Sequence, residues 1–583
     1  MIMIRNIFCI CLTMGSLSLQ AQYVLKEAEK AAAVYRFNEA IPLYEKAYRN
    51  KPSLRAARGL ATVYAAMRSH EQAARWYGQT LSLPGYIADD IRRFINEQMY
   101  NGKYDSVRQA LHKYSDSLPA PLLSRWYASC DSAIWWMAHP VDAGLQPLSV
   151  LNTAAAEWGA FPYKNNQIMF SSDRAHPNNG YTTLIRWYNH NDISLHTSGW
   201  TGRPYLQLFT GNPADSNSVN ILRDKNINSG YHSGGLYLSL HGDVLFFTST
   251  RDIKGKNSFL KKDQPYTVNM EIFSSIYHAA DSSWTFPANF KYNNPLKYSV
   301  GDPFLTEDGR RLYFVSDMPG GLGGTDIYYA DKQADNTWGN AVNMGDSINS
   351  AGDERFPFIS TRGHFYFSSN GRVGMGGLDI YKVADFGNAV SVPVNMGYPV
   401  NSPQDDFAAV FTDSIGYLSS DRDGGKGSDD LYSLTLENYK PPLSPKETSP
   451  DKPVVVVQKG VVPLPEKWVL EDIYFDFDKW NIRPDATIGL SRLATIMKQQ
   501  PDVRVQLGAH TDARGNDTYN QLLSEKRARA AASWLESKGI PPARIRYVGY
   551  GEKYPVNRCV NGVLCTEAEH QQNRRVEVRI DEE

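Results

Sequence analysis

Net charge, cysteine and long apolar stretches are all scarce in this 583-residue chain. Its 61 Lys and Arg nearly balance 62 Asp and Glu, giving a formal charge of −1. A nucleic-acid-binding protein normally carries a concentrated basic excess, so we expect no nucleic-acid partner. The length exceeds what one hydrophobic core supports, and several domains are expected. The 12% of aromatic residues, with 44 Gly and 32 Pro, favours many short strands joined by tight turns.

The longest apolar stretch lies at the N-terminus and is typical of an export signal. Arg5 supplies a positive charge, an apolar run extends from Ile7 to Leu19, and small or neutral residues follow at the cleavage site. We therefore assign residues 1–22 to a signal peptide. A retained membrane anchor is the alternative, but the run is shorter than the ~20 residues that span a bilayer. Lipidation at a cysteine of the run is another alternative, although no small-residue lipobox precedes one.

Only five cysteines are present, and two of them lie in the signal. Cys559 and Cys565 are close in sequence, so an oxidising compartment favours a local disulfide between them. A metal site there would need further ligands, and only His570 is nearby. Cys130 has no evident partner and is expected to be a buried thiol.

Residues 23–145 show the three- and four-residue spacing of apolar and Ala positions that indicates helices. A related unit recurs about every 34 residues, as Phe37-Asn38-Glu39-Ala40, His70-Glu71-Gln72-Ala73 and Tyr104-Asp105-Ser106-Val107. This period resembles the tetratricopeptide repeat (TPR), which implies an all-α, TPR-like solenoid of stacked antiparallel helices. The third unit is degenerate, and an ordinary helical bundle is the alternative. An expected capping helix carries three tryptophans, Trp126, Trp135 and Trp136.

Residues 150–437 are predicted to form repeated antiparallel strands. An aromatic–serine motif recurs at Met169–Arg174, Phe246–Arg251, Tyr313–Asp317, Tyr366–Asn370 and Tyr417–Arg422. The last three copies are roughly 50 residues apart, and each precedes a glycine-rich turn and a second short strand. Radial repetition of this kind is how a β-propeller avoids long exposed edges. The repeats resemble the WD40-like PD40 units of the TolB propeller family, which implies an all-β propeller of about six blades, a divergent sixth lying at Trp187–Arg223.

The glycine clusters at 320–324 and 374–377 are interpreted as hairpin turns, since a phosphate loop would need a following helix and a Lys-Ser/Thr pair. Asp421, Asp423 and Asp429 could bind calcium, but the loop lacks the acidic terminus of a calcium-binding hand. We expect these side chains to cap turn amides instead. No Ser-His-Asp or paired-carboxylate arrangement stands out. We therefore predict that the protein is not an enzyme and that it has no catalytic residue, bound metal or cofactor.

The last part of the chain divides into a tether and an α/β domain. Residues 438–466 are rich in Pro, Lys and Ser, a composition that predicts a flexible linker. Residues 467–583 alternate strands with helices. Strands are predicted at 473–478, 503–507, 545–548 and 576–580, and helices at 484–499 and 519–538.

Four motif elements follow one another in this domain. They are His510-Thr511-Asp512-Ala513-Arg514-Gly515, then Asn520, then Leu523-Ser524-Glu525-Lys526-Arg527-Ala528, and finally Asn573-Arg574-Arg575-Val576-Glu577. In this order they resemble the C-terminal domains of the OmpA/Pal/MotB family. The resemblance implies a compact α/β sandwich that binds the peptide stem of peptidoglycan without cleaving it.

The same resemblance implies a site for diaminopimelate, whose side chain ends in an ammonium and a carboxylate. Asp512 would accept hydrogen bonds from the ammonium, and Arg527 would present its planar guanidinium to the carboxylate. The alternative is that these two residues pair only with each other. The family often has Asn where this chain has Asp478, so the chain departs from the family pattern at that position. Six positions correspond to peptidoglycan contacts in the family: Asp512, Arg527, Thr511, Asn520, Arg574 and Asp478.

The order of helical repeats, propeller and wall-binding domain resembles multidomain OmpA-family proteins of Bacteroidetes-type outer membranes. One such protein is the peptidoglycan anchor of the type IX secretion machinery. The resemblance implies a non-catalytic periplasmic scaffold, associated peripherally with the outer membrane. Its last domain would bind peptidoglycan, while the repeats and propeller would bind envelope or secretion proteins. That anchor also carries a small β domain and a lipid-bearing cysteine, of which this sequence shows no sign, so a role in secretion is a hypothesis.

Two other functions are considered. A periplasmic carbohydrate or peptide sensor would use the Trp and Tyr side chains of the propeller. A propeller hydrolase would need a nucleophile or an acid pair in the propeller channel, and the sequence shows neither.

Overall fold

The structure, a computed structural model, describes residues 22–175, 198–251, 268–442, 467–469 and 490–580, with short gaps inside the second, third and last of these ranges. The chain divides into two compact units, one ending at Ser449 and the other beginning at Pro450. The predicted signal peptide and Asp478 lie outside the described residues, as does most of the predicted linker. None of the described helices is both long and apolar enough to cross a membrane.

Helices follow one another through the first part of the first unit. They are α1 (22–33), α2 (Phe37–Asn50), α3 (Leu54–Ala66), α4 (His70–Leu81), α5 (Ala88–Tyr100), α6 (Tyr104–Lys113) and α7 (Ala120–Ala138). The three sequence units that repeat each begin an even-numbered helix, at Phe37, His70 and Tyr104. The turns before α2 and α4 contain Tyr35 and Arg68 in left-handed backbone conformation, which reverses the chain within a few residues.

Small side chains let these helices pack closely. Ala40, Ala61 and Ala73 are completely buried between neighbouring helices. The last of these helices, α7, is the one predicted to carry Trp126, Trp135 and Trp136, and Cys130 is buried on it. Cys130 is a buried free thiol, as predicted, and burial raises its pKa to about 12.

After α7, the described residues of the first unit form five antiparallel sheets. The first contains β2 (Glu157–Pro162), β3 (Ile168–Ser172), β4 (Gln207–Asn212) and β5 (Asp215–Ile221). The second contains β6 (Ser233–Leu238), β7 (Val244–Ser249), β8 (Glu271–His278), β9 (Ser283–Trp284) and β10 (Ala288–Asn289). The third contains β11 (Val300–Leu305), β12 (Arg311–Ser316), β13 (Asp326–Asp331) and β14 (Val342–Asn343). The fourth contains β15 (Glu354–Ile359), β16 (Phe365–Ser369), β17 (Asp379–Val383) and β18 (Val394–Asn395). The fifth contains β19 (Asp406–Phe411), β20 (Gly416–Ser420), β21 (Asp430–Leu434) and β1 (Gln146–Pro147).

The sheets follow one another in a ring. The first strand of each sheet contacts the first strand of the next, in the order β2, β6, β11, β15 and β19, and β19 contacts β2 again. The earliest strand, β1, pairs with β21 and so joins the two ends of the ring. The repeat count predicts about six blades, but the described residues form five sheets. The described part of the stretch predicted as a sixth blade supplies β4 and β5 to the first sheet, while residues 187–197, 199 and 223 lie outside the described residues.

Each first strand carries an irregularity at an equivalent position. The pairing register shifts there by one residue, as in a β-bulge. The residue at the shift has left-handed backbone, with φ between 50° and 70°, in all five strands: Gly159, Gly235, Asp302, Phe356 and Ala408. A β-bulge bends the strand that carries it, and these five strands are the ones that contact one another around the ring.

The aromatic–serine motif forms the second strand of every sheet, namely β3, β7, β12, β16 and β20. The aspartate that begins the third strand of three sheets then binds the glycine-rich turn before it. Asp379 Oδ2, for example, accepts a hydrogen bond of 2.7 Å from the backbone N–H of Met375. A β-carbon on Gly374 would lie 2.1 Å from that same oxygen, so the turn needs glycine there. The glycine clusters are therefore turns closed by a carboxylate.

The described residues of the second unit form a four-stranded mixed sheet. Its order is β22 (Lys467–Val469), β25 (Val576–Ile580), β23 (Val505–Ala509) and β24 (Ile545–Gly549). β23 and β24 are parallel, whereas β25 runs antiparallel to both of its neighbours. The helix α8 (Asp517–Ser537) packs on β23 and β24 through buried alanines and Leu535. Its first turn is capped by Asn516, whose Oδ1 accepts a 2.8 Å hydrogen bond from the N–H of Tyr519.

Candidate functional site

The motif residues of the second unit meet at one edge of its sheet. Because β23 is parallel to β24 and antiparallel to β25, the end of β23 lies beside the end of β24 and the start of β25. His510 to Gly515 follow β23 directly and lead into α8, while Arg574 lies two residues before the start of β25. The strand order therefore places Asp512 and Arg574 together although 62 residues separate them in sequence.

The Asp512 carboxylate is the centre of the site. Its Oδ2 accepts hydrogen bonds of 2.6 Å from Arg574 Nη1 and 2.7 Å from Arg514 Nη2. Burial by itself would raise the pKa of this carboxyl group, but the hydrogen bonds from Arg514 and Arg574 outweigh burial and lower the pKa below its usual value. Asp512 is therefore an anion at neutral pH, held by two cations.

Arg527 is completely buried on α8. Its Nη1 donates a 3.4 Å hydrogen bond to the carbonyl oxygen of His510, two residues before Asp512. The alternative in which Asp512 and Arg527 pair only with each other is wrong, since Asp512 accepts hydrogen bonds from two other arginines. Arg527 is thus hydrogen-bonded to the backbone of the segment that carries Asp512.

Two more of the expected contact residues join this cluster. Asn520 Nδ2 donates to the carbonyl oxygen of Asp512 at 3.3 Å and also to the carboxylate of Glu552. The backbone N–H of Thr511 donates to the carbonyl oxygen of Gly551 at 2.9 Å. Its buried hydroxyl oxygen has no hydrogen-bond partner among the described residues. Five of the six expected site residues are therefore brought together, and the sixth, Asp478, lies outside the described residues.

Two further residues of the site were absent from the sequence-based set. Arg514 lies two residues after Asp512 in the same motif. A cation at this spacing from an aspartate indicates an ion pair that the sequence could have predicted. Glu552 lies in the turn after β24, and only the sheet order brings it to Asn520. The ring of His510 stacks on Tyr550, with centroids 5.2 Å apart and planes 23° from parallel.

The loop before β25 is fixed by a disulfide. Cys559 and Cys565 are bonded, with Cα atoms 5.9 Å apart, so neither sulfur is a free thiolate. Asn573 connects this loop to the segment before β25, because its Oδ1 accepts a 2.8 Å hydrogen bond from the backbone N–H of Val556. Two adjacent residues therefore have separate contacts: Asn573 binds the loop, and Arg574 binds Asp512.

The acidic group of the first unit has a different role from ion binding. Asp421 and Asp429 accept hydrogen bonds from the guanidinium of Arg68, at 3.0 and 3.1 Å. Asp421 Oδ1 also accepts a 2.8 Å hydrogen bond from the backbone N–H of Asp405, which lies 16 residues earlier and directly precedes β19. Asp423 is exposed and receives a 3.5 Å contact from Gln404. Two of the three aspartates therefore link the sheets to the helices.

The family model described as "OmpA family" matches residues 474–564 of this chain. The second unit carries an OmpA-like domain. The match lies wholly within that unit and includes Thr511, Asp512, Asn520 and Arg527.

Curated relatives resemble the same part of the chain. Outer membrane porin F of Pseudomonas fluorescens is 41% identical over 110 residues, which are 19% of this chain and 32% of the porin. Peptidoglycan-associated lipoprotein of Brucella melitensis is 38% identical over 87 residues, which are 15% of this chain and 52% of the lipoprotein. The chain thus spans about a third of the porin and about half of the lipoprotein.

Among solved structures, the peptidoglycan-associated lipoprotein from Burkholderia pseudomallei is similar to this chain at 30% sequence identity. The similarity covers 19% of this chain and 88% of the lipoprotein chain, with a TM-score of 0.17.

Proposed function

We propose that this chain is a non-catalytic scaffold of the cell envelope that holds peptidoglycan through its OmpA-like domain. The buried Asp512 carboxylate carries the proposal, because it is an ionised group kept in place by arginines at the end of a rigid sheet. Relatives named peptidoglycan-associated lipoprotein share this part of the chain. A fixed anion beside a fixed cation suits a ligand that is itself a zwitterion.

The ligand we propose is the diaminopimelate residue of the stem peptide. Its ammonium would take the place of Arg514 on Asp512, because the side chain of Arg514 is 35% exposed whereas that of Arg574 is 4% exposed. Its carboxylate would lie toward Arg527. Thr511 adds a buried hydroxyl that has no partner among the described residues and is available to a polar ligand atom. Binding would require residues 511–516 to open over the buried Arg527.

The first unit supplies the protein-binding surfaces of the proposed scaffold. We interpret its five sheets as a five-bladed propeller, since their first strands contact one another in a closed cycle. The helices are interpreted as TPR-like repeats with a capping helix. We place the chain in the periplasm, associated with the outer membrane, and propose envelope or secretion proteins as partners, with the type IX machinery as one such assembly.

Retention on purified peptidoglycan sacculi tests the wall-binding role. The full mature chain should sediment with sacculi, and Asp512→Asn should abolish retention because it removes the anion but keeps the shape. Arg527→Lys should weaken retention, since an ammonium cannot form two parallel hydrogen bonds with a carboxylate. Asp517→Asn, an exposed change in the first turn of α8, serves as the matched control and should be retained like the wild type. Equal retention of wild type and Asp512→Asn would disprove the proposed site.

A further inference from the structure

A cleft of about 1080 Å³ separates the helices of the first unit from the centre of the ring of sheets. Tyr100 on α5 and Trp126 on α7 form part of its helical wall. Its floor includes Trp158, Phe356 and Phe407, which come from the first strands of three different sheets. The volume of about 1080 Å³ is slightly above the usual range of ligand-binding clefts, about 300–1,000 Å³, and is larger than one side chain.

The two sides of the cleft are held at a fixed separation. Arg68, in the turn between α3 and α4, donates hydrogen bonds to Asp405, Asp421 and Asp429 in the loops of the last sheets. The hydroxyl of Tyr100 also donates to the carboxylate of Asp421. A cleft that exists before binding costs a ligand less ordering free energy.

The floor is an apolar socket made of tilted rings. Phe356 and Phe407 have centroids 5.2 Å apart at 31°, and Trp158 meets them at 67° and 53° with centroids 5.9 and 6.2 Å away. Rings inclined in this way offer no single flat face for a sugar ring. They suit an irregular apolar side chain, which contacts faces and edges together.

One cation in the lining of the same cleft has spare hydrogen-bonding capacity. Arg125 on α7 donates a 3.2 Å hydrogen bond to the carbonyl oxygen of Asn370, and no carboxylate of the described residues forms an ion pair with it. Arg355, by contrast, is paired with Asp302 at 3.1 Å. Burial lowers the pKa of the Arg125 guanidinium, and an incoming carboxylate would offset that loss of hydration.

We propose that the cleft binds an extended peptide segment of a partner protein, with an apolar side chain on the Trp158, Phe356 and Phe407 floor and a carboxylate on Arg125. The complementary charge is the guanidinium of Arg125, which has no carboxylate partner among the described residues. Aromatic anchors and arginine in a desolvated cleft are the features that concentrate binding energy at protein interfaces. This role does not depend on the OmpA-like domain and goes beyond the wall-anchor function.

A phage-displayed library of random seven-residue peptides, selected against the full mature chain, tests the proposal. Enriched sequences should carry Asp or Glu close to a large apolar residue. A synthetic peptide of an enriched sequence, titrated by calorimetry, should bind Arg125→Gln about tenfold more weakly, the effect of losing one charge-assisted hydrogen bond. Arg125→Lys should recover part of the affinity, which separates a charge effect from misfolding.

Two controls keep the outcomes distinct. Arg49→Gln, an exposed change at the end of α2, should leave the affinity unchanged. Trp158→Leu should weaken binding and remove any change in tryptophan fluorescence that Trp158 contributes. The proposal is overturned if no peptide is enriched or if enriched peptides bind Arg125→Gln as tightly as the wild type. Binding of chitotetraose that depends on Trp158, without peptide enrichment, would identify a sugar site instead. Retention on sacculi should be the same for every one of these variants.

Discussion

Arg574 donates a 2.6 Å hydrogen bond from Nη1 to Oδ2 of Asp512, and neither side chain is more than 5% exposed. A buried ion pair of this kind is costly to break from one side, since the remaining charge stays out of water. The pair also joins the segment after β23 to the segment before β25. It therefore contributes to the fold of the second unit as well as to the candidate site.

Arg574→Ala should destabilise the second unit by about 3 kcal/mol, because it leaves the Asp512 carboxylate buried with one cation fewer. Chemical denaturation of the full chain at neutral pH measures this as a lower midpoint of the corresponding transition. Arg579→Ala is the control, since that half-exposed side chain lies 3.8 Å from Glu577. An unchanged midpoint for Arg574→Ala would mean that Arg514 alone stabilises the carboxylate.

The lowered pKa of Asp512 fixes the sign of an acid dependence. Its folded-state pKa lies below the unfolded value, so its stabilising effect is complete above the unfolded pKa and is lost as the pH falls through the folded pKa. The second unit should keep its stability from pH 7 to about pH 5 and lose this contribution below about pH 4. Denaturation midpoints against pH test this. Asp512→Asn should remove that part of the acid dependence, and an unchanged profile would contradict the assignment.

Asp421 should show the opposite dependence. Burial raises its pKa to about 7, while the charge of Arg68 acts in the lowering direction. The folded chain then binds a proton that the unfolded chain releases, and the first unit should gain stability as the pH falls from about 7 toward about 4. Asp421→Asn should reduce this gain in thermal unfolding at pH 8 and pH 6, whereas the exposed Asp423→Asn should leave it unchanged. Equal slopes for both variants would contradict the prediction.

The left-handed bulges of the ring predict a position-specific cost. A β-carbon on Gly159 would meet only Ser171 Oγ at 3.9 Å, so Gly159→Ala should destabilise the first unit by about 1 kcal/mol through backbone conformation alone. Ala408→Gly should change stability by less than about 1 kcal/mol, because relief of the left-handed conformation is offset by greater freedom of the unfolded chain. Urea denaturation of both variants decides. A larger effect for Ala408→Gly would refute the comparison.

The disulfide should stabilise the loop before β25. Replacing Cys559 and Cys565 by serine should cost about 2 kcal/mol, the closure entropy of a short loop in the unfolded chain. Dithiothreitol should lower the wild-type midpoint by a similar amount and leave the double variant unaffected. If the reductant affects both proteins equally, its target is not this bond.

The sequence by itself determined the local structure, including where helices begin and where turns separate the strands. Phe37, His70 and Tyr104 begin helices because the same turn-and-helix pattern is repeated at each. The aromatic–serine motifs are strands since alternating side chains and glycine turns leave no other regular structure. The order of the motif around Asp512 was also enough to indicate an OmpA-like domain, because its residues follow one another at fixed short spacings.

Only the tertiary structure decided which groups meet. The number of sheets depended on the pairing of β4 with β3 and of β5 with β4, a non-local choice that repeat counting does not resolve. Arg574 reaches Asp512 because the sheet order brings two segments 62 residues apart to one edge. Arg68 finds three aspartates more than 300 residues away because the helices pack against the ring. Side-chain partners at such separations are fixed by packing and strand order, which no local sequence pattern encodes.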